Sequence, residues 1–108
     1  MQITYDDEKQ TLLCQFMARM DSVASAAATE QLEERLNEAL QSTQKSGETD
    51  LNVIFDLEKV DYVASAFLRL CITVAKRLDQ GGFSVVKCNP SVKKIFTIGG
   101  LDKIMEIH

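Results

Sequence analysis

The chain has 108 residues, 45% of them hydrophobic and 26% charged, with a formal net charge of −4. That length fits one domain over 1–108, able to bury about two-thirds of its unfolded surface without metals or disulfides. The composition excludes a disordered chain and a cysteine-stapled secreted scaffold, and the acidic balance argues against a nucleic-acid partner.

Residues 1–20 read as an antiparallel hairpin. Ile3 and Tyr5 alternate with polar neighbours, 6–10 is a polar turn, and Leu12, Cys14, Phe16 and Ala18 then share one face at a period of two. Residues 21–28 are small and read as a loop entering a helix. That helix runs to about 42, with Leu32, Leu36, Ala39 and Leu40 at helical spacing, and a polar loop through Gly47 ends it.

Residues 51–57 form the most strand-like segment, apolar enough for burial on both faces. Residues 58–65 read as a short connection, and a helix from about 66 to 79 carries Leu68, Cys71, Ile72, Ala75 and Leu78 inward. Phe67, Leu70 and Val74 form a second apolar stripe beside it. Gly81-Gly82 supply a stop, and 83–88 is a further strand, so 51–88 is a βαβ unit with parallel strands. Asn89-Pro90-Ser91 starts a short amphipathic helix through Val92, Ile95 and Phe96 that ends at Gly99-Gly100. Leu101, Ile104, Met105 and Ile107 are placed to cover the sheet end. The expected fold is α/β: a small mixed sheet with an N-terminal hairpin, a βαβ unit and helices mainly on one face.

Enzyme chemistry finds little support. His108, the only histidine, is the last residue, where chains fray, so no Ser-His-Asp or Cys-His arrangement is expected. Cys14, Cys71 and Cys88 are widely spaced, lack a C-x-x-C, and read as buried free thiols. No phosphate-cradling glycine motif or metal motif occurs. The expectation is a non-enzyme without cofactor or metal. The chain has no apolar run near the ~20 residues of a membrane span and no signal-like start, so a cytoplasmic location is expected.

The informative stretch runs from Phe55 to Leu68. A buried strand ends in Asp56-Leu57, Val60 follows, and a helix opens at Ser65 with Leu68 in its first turn. This resembles the STAS family, the domain of bacterial anti-sigma factor antagonists, which reads Asp-Leu-x-x-Val, an aromatic or apolar pair, then Asp-Ser-Ser-Gly-Leu. Arg19-Met20-Asp21 looks like the family's turn after its second strand, and Asn89-Pro90 with Val92–Phe96 looks like its late helix. The resemblance implies a regulatory protein without catalysis. Its partners would be an anti-sigma factor with serine kinase activity, of the histidine-kinase-like ATPase type, and a serine/threonine phosphatase. The residue matching the family's phosphorylated serine is Ser65, and the implied docking face holds Asp21, Ser22, Tyr62, Val63, Ala64, Ala66, Phe67, Leu68 and Arg69.

The chain departs from the family at several points. Ala64 stands for the Asp before the serine, Ala66 for the second Ser, Phe67 for the Gly, and Ala18 for the Gly of the earlier turn. Phe67 is open to two readings, core packing or an exposed interface anchor. Ser65 and Asp21 can each also be simple helix caps. Two alternatives to the switch stand beside it. One is a phosphorylation-independent STAS scaffold docking through Phe67. The other is a small-anion or nucleotide-binding module using the helix start at Ser65–Phe67.

Overall fold

A computed structural model describes residues 1–6, 8–44, 51–78 and 82–108. Strands β1 (Gln2–Asp6) and β2 (Thr11–Met20) form the expected antiparallel hairpin, with Ile3 opposite Cys14 and Tyr5 opposite Leu12. Helix α1 (Ser22–Gln44) leads to β3 (Asn52–Val63), which pairs parallel with β2. Helix α2 (Ser65–Arg77) leads to β4 (Phe83–Val86), parallel to β3. Helix α3 (Pro90–Ile98) and a 3-10 turn at Leu101–Lys103 precede β5 (Glu106–Ile107), parallel to β4. The sheet order is β1-β2-β3-β4-β5.

Alternation along the strands gives the sheet one apolar face. Leu12, Cys14 and Phe16 on β2, Val53, Phe55 and Leu57 on β3, and Phe83 and Val85 on β4 are all buried. They join buried residues of all three helices in one core that includes Leu32, Leu36, Phe67, Val74, Val92 and Phe96. The opposite positions, among them Gln15, Ile54, Ser84 and Glu106, are half-buried or exposed. Helices therefore crowd one face, as expected of a mixed sheet this small.

Several boundaries differ from the sequence reading. Residues 22–28 are helix, not loop, because alanine is the strongest helix former and Asp21 caps the helix: its Oδ1 accepts from Ala24 N–H at 2.9 Å. Residues 58–63 are strand, not connection. The β2–β3 register slips between Gln15 and Met17 and again between Ala18 and Arg19, so β3 carries one extra residue at each slip. Such bulges restart the alternation, and Leu57, Val60 and Val63 all point inward at a spacing of three.

Helix α2 begins one residue earlier than expected, and it ends on Leu78 in extended conformation. Its proposed Gly81 stop lies outside the described residues, as does the loop at 45–47. Strand β4 ends at Val86, because Lys87 turns to φ +58 and leaves the ladder. Asn89 caps α3 through its Oδ1, accepting from Val92 N–H at 2.8 Å, while its Nδ2 donates to Val60 O at 3.1 Å and ties α3 to β3. Leu101 and Met105 cover the sheet end as expected. Ile104 is exposed, and Ile107 forms part of β5.

Candidate functional site

The two crossovers place the starts of α1 and α2 side by side at the end of β2 and β3. A backbone hydrogen bond joins them, from Ala64 N–H to Met20 O at 2.9 Å. Ser25, buried in the first turn of α1, donates its Oγ–H to the same carbonyl at 3.4 Å. The shared acceptor holds Asp21 and Ser22 of one helix start against Ala64 and Ser65 of the other. Between the helices runs a cleft of about 230 Å³ whose lining includes Ser22, Ser25, Ala66, Arg69 and Thr73.

The expected residues separate into two groups. Asp21, Ser22, Ser65 and Arg69 are exposed at the helix starts, and Tyr62 is 38% exposed just before them. Ala64, Ala66 and Leu68 are half-buried. Val63 and Phe67 are corrections to the docking face, because their side chains lie in the core at 4% and 0% exposure. Phe67 sits among aromatic rings, 5.1 Å from Phe16 and 6.0 Å from Phe55, and Phe55 in turn meets Phe83 at 4.8 Å. The edge-on pairs Phe16–Phe67 and Phe55–Phe83 each add about 0.5–1.5 kcal/mol beyond area burial. The pocket thus selects the stripe of Phe67, Leu70, Cys71 and Val74 as the centre of the buried face, leaving Leu68, Ile72 and Ala75 at its margin.

Ser65 is the first residue inside α2, not its cap. The cap position is Ala64, extended at φ −88 and ψ 166, and it offers no side-chain acceptor. The Ser65 hydroxyl is exposed and has no hydrogen-bond partner among the described residues. An exposed hydroxyl in the first turn faces the positive end of the helix, where an added anion is favoured.

Arg19 is a member of this surface that the sequence reading missed. It pairs across the ladder with Tyr62, and its guanidinium lies 4.4 Å from the ring centroid. Only the register beyond the bulges reveals that pairing, so a strand ended at residue 57 hides it.

The thiols offer no nucleophile. Burial pushes Cys14 up to about 12 and Cys88 up to about 11, and raises Cys71 well above the ordinary thiol range. Among the described residues no cluster of His, Cys, Asp or Glu could hold a metal ion, and no helix is long and apolar enough to cross a membrane.

The STAS domain family matches residues 9–108. The chain belongs to the STAS family. Over 93 residues this STAS chain is 32% identical to BtrV of Bordetella bronchiseptica, a protein assigned as an anti-sigma factor antagonist, covering 84% of the chain and 75% of BtrV. A Thermotoga maritima structure assigned to the same class shares the fold at a TM-score of 0.78, with 15% identity over 98% of this chain and 83% of that one. The anti-sigma factor antagonist SpoIIAA in its unphosphorylated form matches at 0.66, with 16% identity over 99% of this chain and 86% of that one. Bacillus SpoIIAA in the phosphorylated form matches at 0.65, with 18% identity over 99% and 89%. The STAS fold accounts for the mixed five-stranded sheet and its three helices.

Proposed function

We propose that this STAS domain, 1–108, is a cytoplasmic anti-sigma factor antagonist. It docks onto an anti-sigma factor that is also a serine kinase, and it is switched by reversible phosphorylation of Ser65. The observation that carries the reading is an exposed, unengaged serine hydroxyl at the start of α2, next to Ala64, whose backbone N–H donates to Met20 O at the end of β2 just before α1. Its relationship to BtrV supplies the class of partner.

The switch follows from electrostatics. The kinase transfers the γ-phosphoryl group of ATP to Ser65 Oγ: the O–P bond forms, ADP leaves, and the hydroxyl proton passes to a base on the partner. The product adds about 1.5–2 negative charges and three acceptor oxygens. At a helix start the domain itself tolerates that charge, and SpoIIAA, which has this fold, exists in both forms. At an interface shaped to the unmodified serine the same charge must be desolvated without a prepared counter-charge, so the complex dissociates while the fold persists. A serine/threonine phosphatase restores the binding form.

The scaffold alternative loses its anchor, because Phe67 is enclosed in the core. A phosphopeptide map of the protein from its own cells, in growth and in stress, tests the proposal. Condition-dependent phosphate on Ser65 is the expected result. A well-covered Ser65 peptide that is never modified overturns the switch. Capture of an anti-sigma factor by wild type but not by Ser65→Glu is the expected companion result.

A further inference from the structure

A phosphate on Ser65 would stand in the first turn of α2. We propose that Arg69 receives it, forming a contact with phosphorylated Ser65 across the first turn of α2 and holding the modification against its own helix. The inference rests on Ser65 being the modified residue.

The placement is specific. Ser65 and Arg69 are four residues apart on one helix, both exposed. Residues at that spacing are neighbours on the helix surface, with Cβ atoms about 5–6 Å apart. Long helical side chains lean toward the N-terminus, so the Arg69 side chain can reach back to the turn that Ser65 begins. An acidic group four residues before a basic one is the favoured order, since both then complement the helix dipole. Arg69 lines the cleft beside Ser22 and Ala66, and among the described residues its guanidinium has no ion-pair partner. The planar fork of its N–H donors matches phosphate oxygens two at a time.

Other charges border this turn. Asp21 caps α1, Glu33 lines the far part of the cleft, Asp61 lies at the end of β3, and Arg19 is engaged with Tyr62. The three carboxylates raise the phosphate's second ionisation, and the helix start lowers it. All of these stay fixed when Arg69 alone is changed.

The test places phosphoserine at position 65 during synthesis of the chain, so that no kinase is needed, and follows the phosphate by 31P NMR titration. In the wild-type background the second ionisation, ordinarily near pH 6, is expected to lie below that in Arg69→Gln and Arg69→Ala by roughly 0.3 pH unit. Arg69→Lys is expected to restore part of the difference, because it keeps the charge but not the fork. Should Arg69→Ala fail to fold, Arg69→Gln and Arg69→Lys carry the comparison. Equal titration midpoints in wild type and Arg69→Gln overturn the proposal. Because the phosphate is installed without a kinase, this outcome is independent of whether cells modify Ser65, which the phosphopeptide map reads separately.

Discussion

The guanidinium of Arg19 lies over the ring of Tyr62, 4.4 Å from its centroid, across the β2–β3 ladder just past the second bulge. A cation on an aromatic face at a half-exposed site is worth about 0.5–1 kcal/mol. A double-mutant cycle with Arg19→Ala and Tyr62→Ala, followed by urea unfolding, is expected to give a coupling energy of that size. Additive single effects would show that the stacking contributes nothing.

Ala18 adopts φ +57, where glycine is at ease and a Cβ is strained. The left-handed conformation costs an L-residue about 1–2 kcal/mol, partly offset by the greater chain entropy of glycine. Ala18→Gly is therefore expected to stabilise the domain by about 0.5–1 kcal/mol. The urea midpoint should rise with an unchanged slope.

Ala64 occupies the cap of α2 with the right backbone and the wrong side chain. Ala64→Asp supplies an acceptor for an orphan N–H and a charge at the positive helix end, and is expected to add about 1 kcal/mol. Thermal unfolding checks it, and a fall in melting temperature would show that the carboxylate cannot reach the helix N–H groups.

Phe67→Ala removes a ring from an enclosed aromatic cluster and is expected to cost about 3–5 kcal/mol. The milder Phe67→Leu should lower the melting temperature while leaving affinity for a docked anti-sigma factor within a few-fold of wild type. Strong loss of binding by a folded Phe67→Leu protein would restore the ring to the interface.

Burial raises all three thiols, and the sign of the pH effect follows. The unfolded chain releases these protons near the ordinary thiol value of 9.0, whereas folded Cys14 holds its proton to about 12. Their contribution is complete below pH 9 and is lost as pH climbs toward 12, because the unfolded state ionises first. Between pH 8 and pH 10 the loss of unfolding free energy should be smaller in Cys14→Ala than in wild type by about 1 kcal/mol. Urea titrations at the two pH values measure it.

The hairpin, the βαβ unit and the α3 start were legible because each has a strong local signal: alternation in Leu12, Cys14 and Phe16, and the cap pair Asn89-Pro90. The outer half of β3 was not, because bulges convert its inward spacing from two to three, and a spacing of three carries no strand signal in one sequence. The burial of Phe67 was ambiguous for another reason. The apolar arc of α2 is wide enough for two centres, and only the rings of Phe16 and Phe55, distant in sequence, decide between them. Ser65, Asp21 and Tyr62 could be picked out as motif positions, but Arg19 required a register that no single segment encodes.

The two bulges in β3 also bear on how this segment can vary in length. Between Asp56 and Ser65 the chain resembles a polar loop, a place where insertions and deletions are usually absorbed. Here each residue is counted. Losing one would leave Leu57 in place yet rotate Val60 and Val63 out of the core, and α2 would start with a different residue at the junction with Met20. The side chains of Glu58, Lys59 and Asp61 are exposed, Glu58 pairing with Lys87 at 3.5 Å, so a change of identity there costs the core nothing, whereas a change of number does.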